Sequence, residues 1–461
     1  MTDLSALARM RARVTQAVKG DGSGLAARVI RGGSWTLAGN FGGQALRFVS
    51  NIWLTHLLFP AAFGVMAIAQ SIIAGAKMLS DVGLQQSVIR SHRGHDEQFL
   101  NTVWTLQVLK GLGILVVMTA IAPLASRLYE QPELARVIPG LGVAVLINGF
   151  ASTKVALLNR NIEIGRIVSM ELGSQLAGIL VMGLWAWLSP TLWSLVAGNI
   201  VTALAMTLAT HVFIPGPANR FAWQRSTVQE VWSFGGWVML SSGMTYLVGE
   251  GRNLLNGSLV GPHVIGLMVI STMLVMVLWN AIQSISGRVL FPAYATVWRE
   301  RPQNLPAVVE RSRRIQLLAG CAIAILFALL GDRIVNLFYD ARYREAGAFI
   351  QIQAAGSIVG FLGGTYGGVL WAIGRPGVST VLLAAQLLAT VALLVAGHAL
   401  AGVLGLVVGM SLIGVAMYPV NALVYARFGL FQPRTDALPF LIAIALGVYV
   451  FLFGAWRGMS F

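Results

Sequence analysis

Two stretches of this 461-residue chain place polar side chains at helical spacing inside otherwise apolar sequence. Thr36, Asn40, Gln44, Arg47 and Asn51 follow one another at intervals of four, four, three and four. Ser241, Thr245, Gly249, Arg252 and Asn256 repeat those intervals at an offset of 205 (36 to 241). At about 100° per residue each set forms one narrow stripe on a helix. A guanidinium is permanently charged and forks onto phosphate oxygens, so Arg47 and Arg252 point to an anion. The amides of Asn40, Gln44, Asn51 and Asn256 suit sugar hydroxyls, which both donate and accept. Trp35, Tyr246 and Trp279 offer aromatic faces for a sugar ring. Lys77 adds a cation, with Asp81 one helical turn later; Glu250 stands two residues before Arg252. Glu250 and Asp81 are the groups expected to titrate if binding is coupled to an ion. Lys110 and Lys154 are expected to reach along their helices to the membrane interface. The chemistry is recognition of a phosphorylated, hydroxyl-rich molecule.

The elements that must hold these residues are read from composition. The chain is 56% hydrophobic and only 11% charged, where a soluble domain is typically about 25% charged. Apolar runs such as those over 167–188, 192–214 and 438–456 match the roughly 20 residues a helix needs to cross a bilayer. The fold expected is an all-α polytopic membrane protein. Thirteen spans are placed, near 34–56, 61–80, 101–122, 137–158, 167–188, 192–214, 234–257, 263–285, 315–336, 347–372, 378–398, 402–426 and 438–456; twelve or fourteen are also compatible. The first, second and seventh are the least apolar.

The net charge of +15 raises the possibility of nucleic acid, but its distribution excludes it. Six basic residues lie in the tail (Arg9, Arg11, Arg13, Lys19, Arg28, Arg31) and six after the eighth span (Arg288, Arg299, Arg301, Arg311, Arg313, Arg314). With the N-terminus inside, the outer face carries Arg127, Arg136, Arg333, Arg342, Arg344 and Arg457. That bias follows the positive-inside rule and expects a multi-pass inner-membrane protein with a cytoplasmic N-terminus. The first 30 residues show no signal-peptide core. Cys321 stands alone, so no internal disulfide is expected. No phosphate-binding loop, zinc-protease motif or Cys/His cluster is present. No metal, cofactor or catalytic residue is expected, and the reading is a transporter, not an enzyme.

An internal repeat organises the spans. Pro60, Gly64, Met66 and Ile68 recur as Pro262, Gly266, Met268 and Ile270 at an offset of 202, and Leu128-Tyr129-Glu130 is echoed by Phe338-Tyr339-Asp340. Six spans per copy give a parallel repeat. The expected domains are a tail (1–33), an N-lobe (34–214), a linker (215–233), a C-lobe (234–426) and an extra C-terminal span (427–461).

The stretch Leu57-Leu58-Phe59-Pro60 through Gly64, followed by Asp81-Val82-Gly83-Leu84 through Arg90, resembles the N-terminal signature of the bacterial polysaccharide transport family. Val289-Leu290-Phe291-Pro292 and Phe338-Tyr339 before Ala346-Gly347 resemble its C-lobe. This family of O-antigen and exopolysaccharide flippases belongs to the multidrug/oligosaccharidyl-lipid/polysaccharide exporter superfamily. The resemblance implies two six-helix lobes, alternating access and a central cationic cavity. It implies a polyprenyl-pyrophosphate-linked oligosaccharide as cargo, membrane lipid as environment, and polysaccharide polymerase or export machinery as partners. Members commonly carry a basic residue before the Leu-Leu-x-Pro turn; here it is His56. A lipid II flippase and a cation/drug antiporter are the competing expectations, the second requiring acidic cavity residues.

Overall fold

The computed structural model describes residues 25–80, 84, 87–88, 93, 96–160, 163–285, 290–366, 368–454 and 456. Among them every regular element is helical, because in lipid only a helix satisfies its own backbone within one segment. The order is α1 (Leu25–Leu57), α2 (Pro60–Leu79), α3 (Glu97–Leu128), α4 (Leu134–Gly149), α5 (Lys154–Arg160), α6 (Ile164–Leu188), α7 (Trp193–Val212), α8 (Arg225–Gly249), α9 (Gly251–Leu259), α10 (Pro262–Ile285), α11 (Phe291–Glu300), α12 (Leu305–Phe338), α13 (Ala346–Gly364), α14 (Val369–Ala372), α15 (Pro376–Arg427) and α16 (Pro433–Phe453). Helix coincides with each of the thirteen expected spans.

By length and composition, eight of the described helices can cross a membrane. The stripe-bearing helices α1 and α8 are not among them, since their polar faces lower their mean hydropathy. Helix α15 counts once but is two arms. A continuous helix of its length would reach about 78 Å, far beyond a hydrocarbon core of about 30 Å. The backbone leaves helical geometry at Ala401 and Gly402, where Gly402 takes φ +55°, a conformation that glycine adopts without a Cβ penalty. The arms then pack back on one another: a Cβ on Gly397 would overlap the Gly405 carbonyl, and the reverse holds too.

Two expected boundaries differ. The span placed at 137–158 ends as helix at Gly149. Side chains of α3 take the freed carbonyls there. Gln107 Nε2 donates to Gly149 O and Ala151 O, both at 3.0 Å, and Trp104 Nε1 donates to Phe150 O at 3.1 Å. At the other boundary, α12 begins at Leu305, ten residues before 315, and carries Arg313 inside it.

The chain divides into two compact units. The first holds the chain up to Leu54 with Gly75–Arg127 and Pro132–Gly243. The second holds Thr55–Ala74, Leu128–Gln131 and Met244–Phe461. Within the second unit the two Pro-x-x-x-Gly copies meet. A Cβ on Gly64 would overlap the Pro262 carbonyl, and one on Gly266 would overlap the Pro60 carbonyl. Reciprocal contact of this kind is what an axis relating two parallel repeats produces.

Candidate functional site

In the first unit a cavity of about 470 Å³ is walled by α2, α3 and the end of α4. Lys77 enters it from the last turn of α2, where a cation also meets the negative end of the helix dipole. Lys110 enters from α3, one turn after Gln107. The two ammonium groups repel each other across this space, and the described lining contains no carboxylate. Two cations lining one cavity draw an anion into it. Lys110 therefore departs from its expected place at the interface: it lines a cavity. Lys154 departs differently. It is buried, and its Nζ donates to Ile214 O at 2.9 Å beyond the C-terminal end of α7, a structural cap.

The first stripe lies on α1 of the same unit. Gly39 and Gly43 lean on α6, against Val168 and Gln175, and Gln175 Nε2 donates to Gly43 O at 3.2 Å. That packing leaves Asn40 and Arg47 exposed and Gln44 half-buried. Asn51 is half-buried, and its buried Oδ1 has no hydrogen-bond partner among the described residues.

The second stripe runs from α8 into α9 in the second unit. Arg252 lines a cavity of about 580 Å³ formed largely by α13 and α15. Its Nε is buried with no partner among the described residues. Asn256, at the stripe position equivalent to Asn51, is buried and likewise leaves its Oδ1 without a partner; its Nδ2 rests 3.9 Å from the Met410 sulfur. Each of these carbonyls can take one donor from water or a ligand hydroxyl. Glu250 sits at the α8–α9 junction. Its Oε2 accepts from Ser71 Oγ at 2.7 Å and from Asn253 Nδ2 at 3.0 Å. Asp81 lies outside the described residues, as do the side chains of Ser241, Thr245 and Trp279. Of the other two expected stacking faces, Trp35 is exposed and Tyr246 buried.

A further group escaped sequence reasoning. Arg313, assigned to a cytoplasmic loop, is fully buried in the second unit. All five of its N–H donors are used. Nε donates to Thr365 Oγ1 (3.1 Å), and one terminal nitrogen to Tyr366 Oη (2.7 Å) and Gln432 Oε1 (3.3 Å). The other donates to Leu362 O (3.1 Å) and Asp436 Oδ1 (2.7 Å). Tyr418 Oη donates to the other Asp436 oxygen at 3.1 Å. The guanidinium lies 3.6 Å over the Tyr366 ring, and the opposite side of that ring stacks on Tyr425 at 3.9 Å. One signal was available. Arg313 falls in register with Val309, Leu317, Gly320 and Ala324, the buried face of α12, while Arg311 and Arg314 do not.

Comparison with known proteins bears on the family and the fold. The model of the family described as "Polysaccharide biosynthesis protein" matches residues 53–348. The chain is 25% identical over 361 residues to the lipopolysaccharide biosynthesis protein WzxC of Escherichia coli strain K12, covering 76% of this chain and 71% of that protein. It is 22% identical over 314 residues to the succinoglycan biosynthesis transport protein ExoT of Rhizobium meliloti strain 1021, covering 67% and 62% respectively. Among solved structures, the fold matches the inward closed lipid II flippase MurJ with a TM-score of 0.67 at 10% identity, over 92% of this chain and 98% of that one. It matches an inward-facing multidrug transporter of the MATE family, MOP superfamily, with a TM-score of 0.63 at 13% identity, over 86% and 95%. The architecture is therefore that of an all-helical, multi-pass transporter.

Proposed function

Because the chain belongs to the polysaccharide biosynthesis protein family, we propose that it is a flippase carrying a polyprenyl-pyrophosphate-linked oligosaccharide from the cytoplasmic to the periplasmic leaflet of the inner membrane. The observation that carries this reading is the lysine pair. Lys77 and Lys110 line one cavity, and two cations side by side suit a pyrophosphate and oppose a cationic drug. Arg47 in the first unit and Arg252 in the second are each assigned a phosphate contact, one accessible and one with an unused donor. Asn40, Gln44, Asn51 and Asn256 serve sugar hydroxyls, and the two orphaned asparagine carbonyls support that role. Glu250 and Asp81 are the groups assigned to ion coupling. In this role the protein is a secondary transporter, not an enzyme, and it hands its cargo to polysaccharide polymerase or export machinery.

The test is in cells. Arg47→Ala with Arg252→Ala, at unchanged expression, is expected to stop polymer export and to build up the lipid-linked intermediate on the inner leaflet. Lys77→Ala with Lys110→Ala is expected to do the same. Normal export in both double variants would defeat the assignment.

A further inference from the structure

The cavity of about 580 Å³ in the second unit has the size of a small-molecule site, yet its chemistry differs from that of the lysine cavity. Apart from Arg252 its described polar lining is uncharged. Several of these groups are already committed. Gln353 donates to Ser271 Oγ at 3.0 Å and accepts from Thr272. Ser411 donates to Ile352 O, and Thr390 donates to Gln386 O. Two amides are not committed. The side-chain amides of Gln386, on the first arm of α15, and Asn421, on the second, make no hydrogen bond to any described residue. Each carries two donors and an acceptor that remain available to an occupant of the cavity. Two such amides converging on one cavity point to an uncharged, hydroxyl-bearing occupant.

The walls support that identification. Gly363 has no side chain where the Asn421 amide lies: a Cβ there would press against Asn421 Nδ2 at 2.5 Å. Trp371 also lines the space with 60% of its surface open. It sits on the short α14 between Gly368 and Gly374, both at positive φ. The Tyr366–Tyr425 stack forms a further part of the wall. Arg313 holds Tyr366 through its ring face and its hydroxyl, so this part of the wall is fixed before a ligand arrives. Free amides beside an open aromatic face are what a sugar ring requires: hydroxyl partners around its edge and an apolar surface for its C–H face.

We propose that this cavity is a carbohydrate chamber that takes the glycan of the lipid-linked cargo, with Gln386 and Asn421 reading hydroxyls and Trp371 covering the ring. The proposal rests on the cargo reading above. It adds to the sugar contacts already assigned a cavity whose lining, apart from Arg252, is uncharged.

The experiment uses the full chain in nanodiscs and three probes: undecaprenyl pyrophosphate bearing one glucose, the same lipid bearing one N-acetylglucosamine, and the bare lipid. Wild type is expected to bind at least one glycosylated probe about tenfold more tightly than the bare lipid, as two hydrogen-bonding amides allow. Gln386→Leu with Asn421→Leu is expected to bring that ratio to about one, with bare-lipid affinity kept within about twofold. Trp371→Leu is expected to lower the ratio by about threefold. Gln386 is exposed, so Gln386→Leu alone leaves the packing intact and is expected to show part of the loss. A ratio that survives the double substitution overturns the chamber. So does tighter bare-lipid binding by the leucine variant, which would mark a lipid-tail groove. Equal binding of all three probes by wild type overturns the chamber and leaves the pyrophosphate reading standing. Binding of none overturns both.

Discussion

Arg252 and Arg313 belong to the same unit, Arg252 lining the cavity and Arg313 lying over the ring of Tyr366, one of its lining residues, yet their surroundings are opposite. Arg313 donates all five of its N–H groups to five acceptors, one of them a carboxylate, and lies over an aromatic face. Nothing is left with which to hold a ligand. Arg252 has a buried Nε without a partner among the described residues, and its nearest acidic neighbour, Glu250, accepts its hydrogen bonds from Ser71 and Asn253. A charge in a membrane helix does not by itself report function; a charge whose donors are unspent does. The comparison can be tested through stability, where the two arginines should lie at opposite ends of a scale.

Arg313 defines the upper end. Arg313→Ala would leave Asp436 buried without its cation, and breaking a buried pair from one side typically costs about 3–5 kcal/mol. The expected outcome is loss of monodisperse protein after extraction, read by size-exclusion chromatography and thermal unfolding. Arg313→Lys should rescue little, because an ammonium has three donors where five are used. A stable, monodisperse Arg313→Ala variant would reduce the network to ornament and remove the contrast.

The reciprocal glycine contact comes next, and it tests packing where charge plays no part. Gly64→Ala and Gly266→Ala each push a methyl into a backbone carbonyl that cannot rotate away. Overpacking of this kind costs about 1–3 kcal/mol, and the symmetry of the contact predicts similar losses for both. Gly113→Ala is the control. It has open space around it on α3 and should be neutral or slightly stabilising, since alanine is the better helix former by about 1 kcal/mol.

How far these features could be read in advance follows from their range. The helices were legible because twenty-residue apolar runs are local, and so was the Pro-x-x-x-Gly repeat. What each repeated glycine touches was not, because its partner is some two hundred residues away in the other copy. The stripes of α1 and α8–α9 were visible as spacing, but spacing could not show that Arg47 is exposed while Arg252 is walled in. Lys110 looked like an interfacial lysine until α2 and α4 enclosed it with Lys77. Arg313 was hidden by its neighbours: three arginines within four residues suggest a solvated loop, and Asp436, 123 residues on, fell just outside the last expected span. The free amides of Gln386 and Asn421 were beyond reach as well, since an amide's freedom depends on every neighbour it lacks.

A half-buried pair gives the next smaller step. Arg342 donates to Asp340 through its side chain at 2.7 Å and through its backbone N–H at 3.0 Å. These bonds hold the Asp340 carboxyl below the usual carboxylate range. A carboxylate whose folded pKa is depressed adds stability above its unfolded value of about 3.9. That stability is lost as pH falls through the lower folded value. The pair is half-buried and still meets solvent, so screening limits it to about 1 kcal/mol. Asp340→Asn should therefore unfold slightly below wild type at pH 7, with the gap closing as pH approaches 3. A gap that widens on acidification would contradict the pairing.

Arg252 should show the smallest effect on stability, and the direction matters as much as the size. Its removal breaks no described hydrogen bond at Nε, and a buried donor left unsatisfied is itself a cost of about 1–3 kcal/mol. Arg252→Met keeps the volume of the chain along α9 and removes that donor. The expected melting temperature is unchanged or raised, while export of polymer falls at least about tenfold through the lost charge-assisted contact. Arg252→Lys should keep the charge, lose the fork and recover part of the export. If Arg252→Met instead unfolds the protein as Arg313→Ala does, the two guanidinium groups play the same structural part, and unspent donors cease to distinguish a binding residue from a brace.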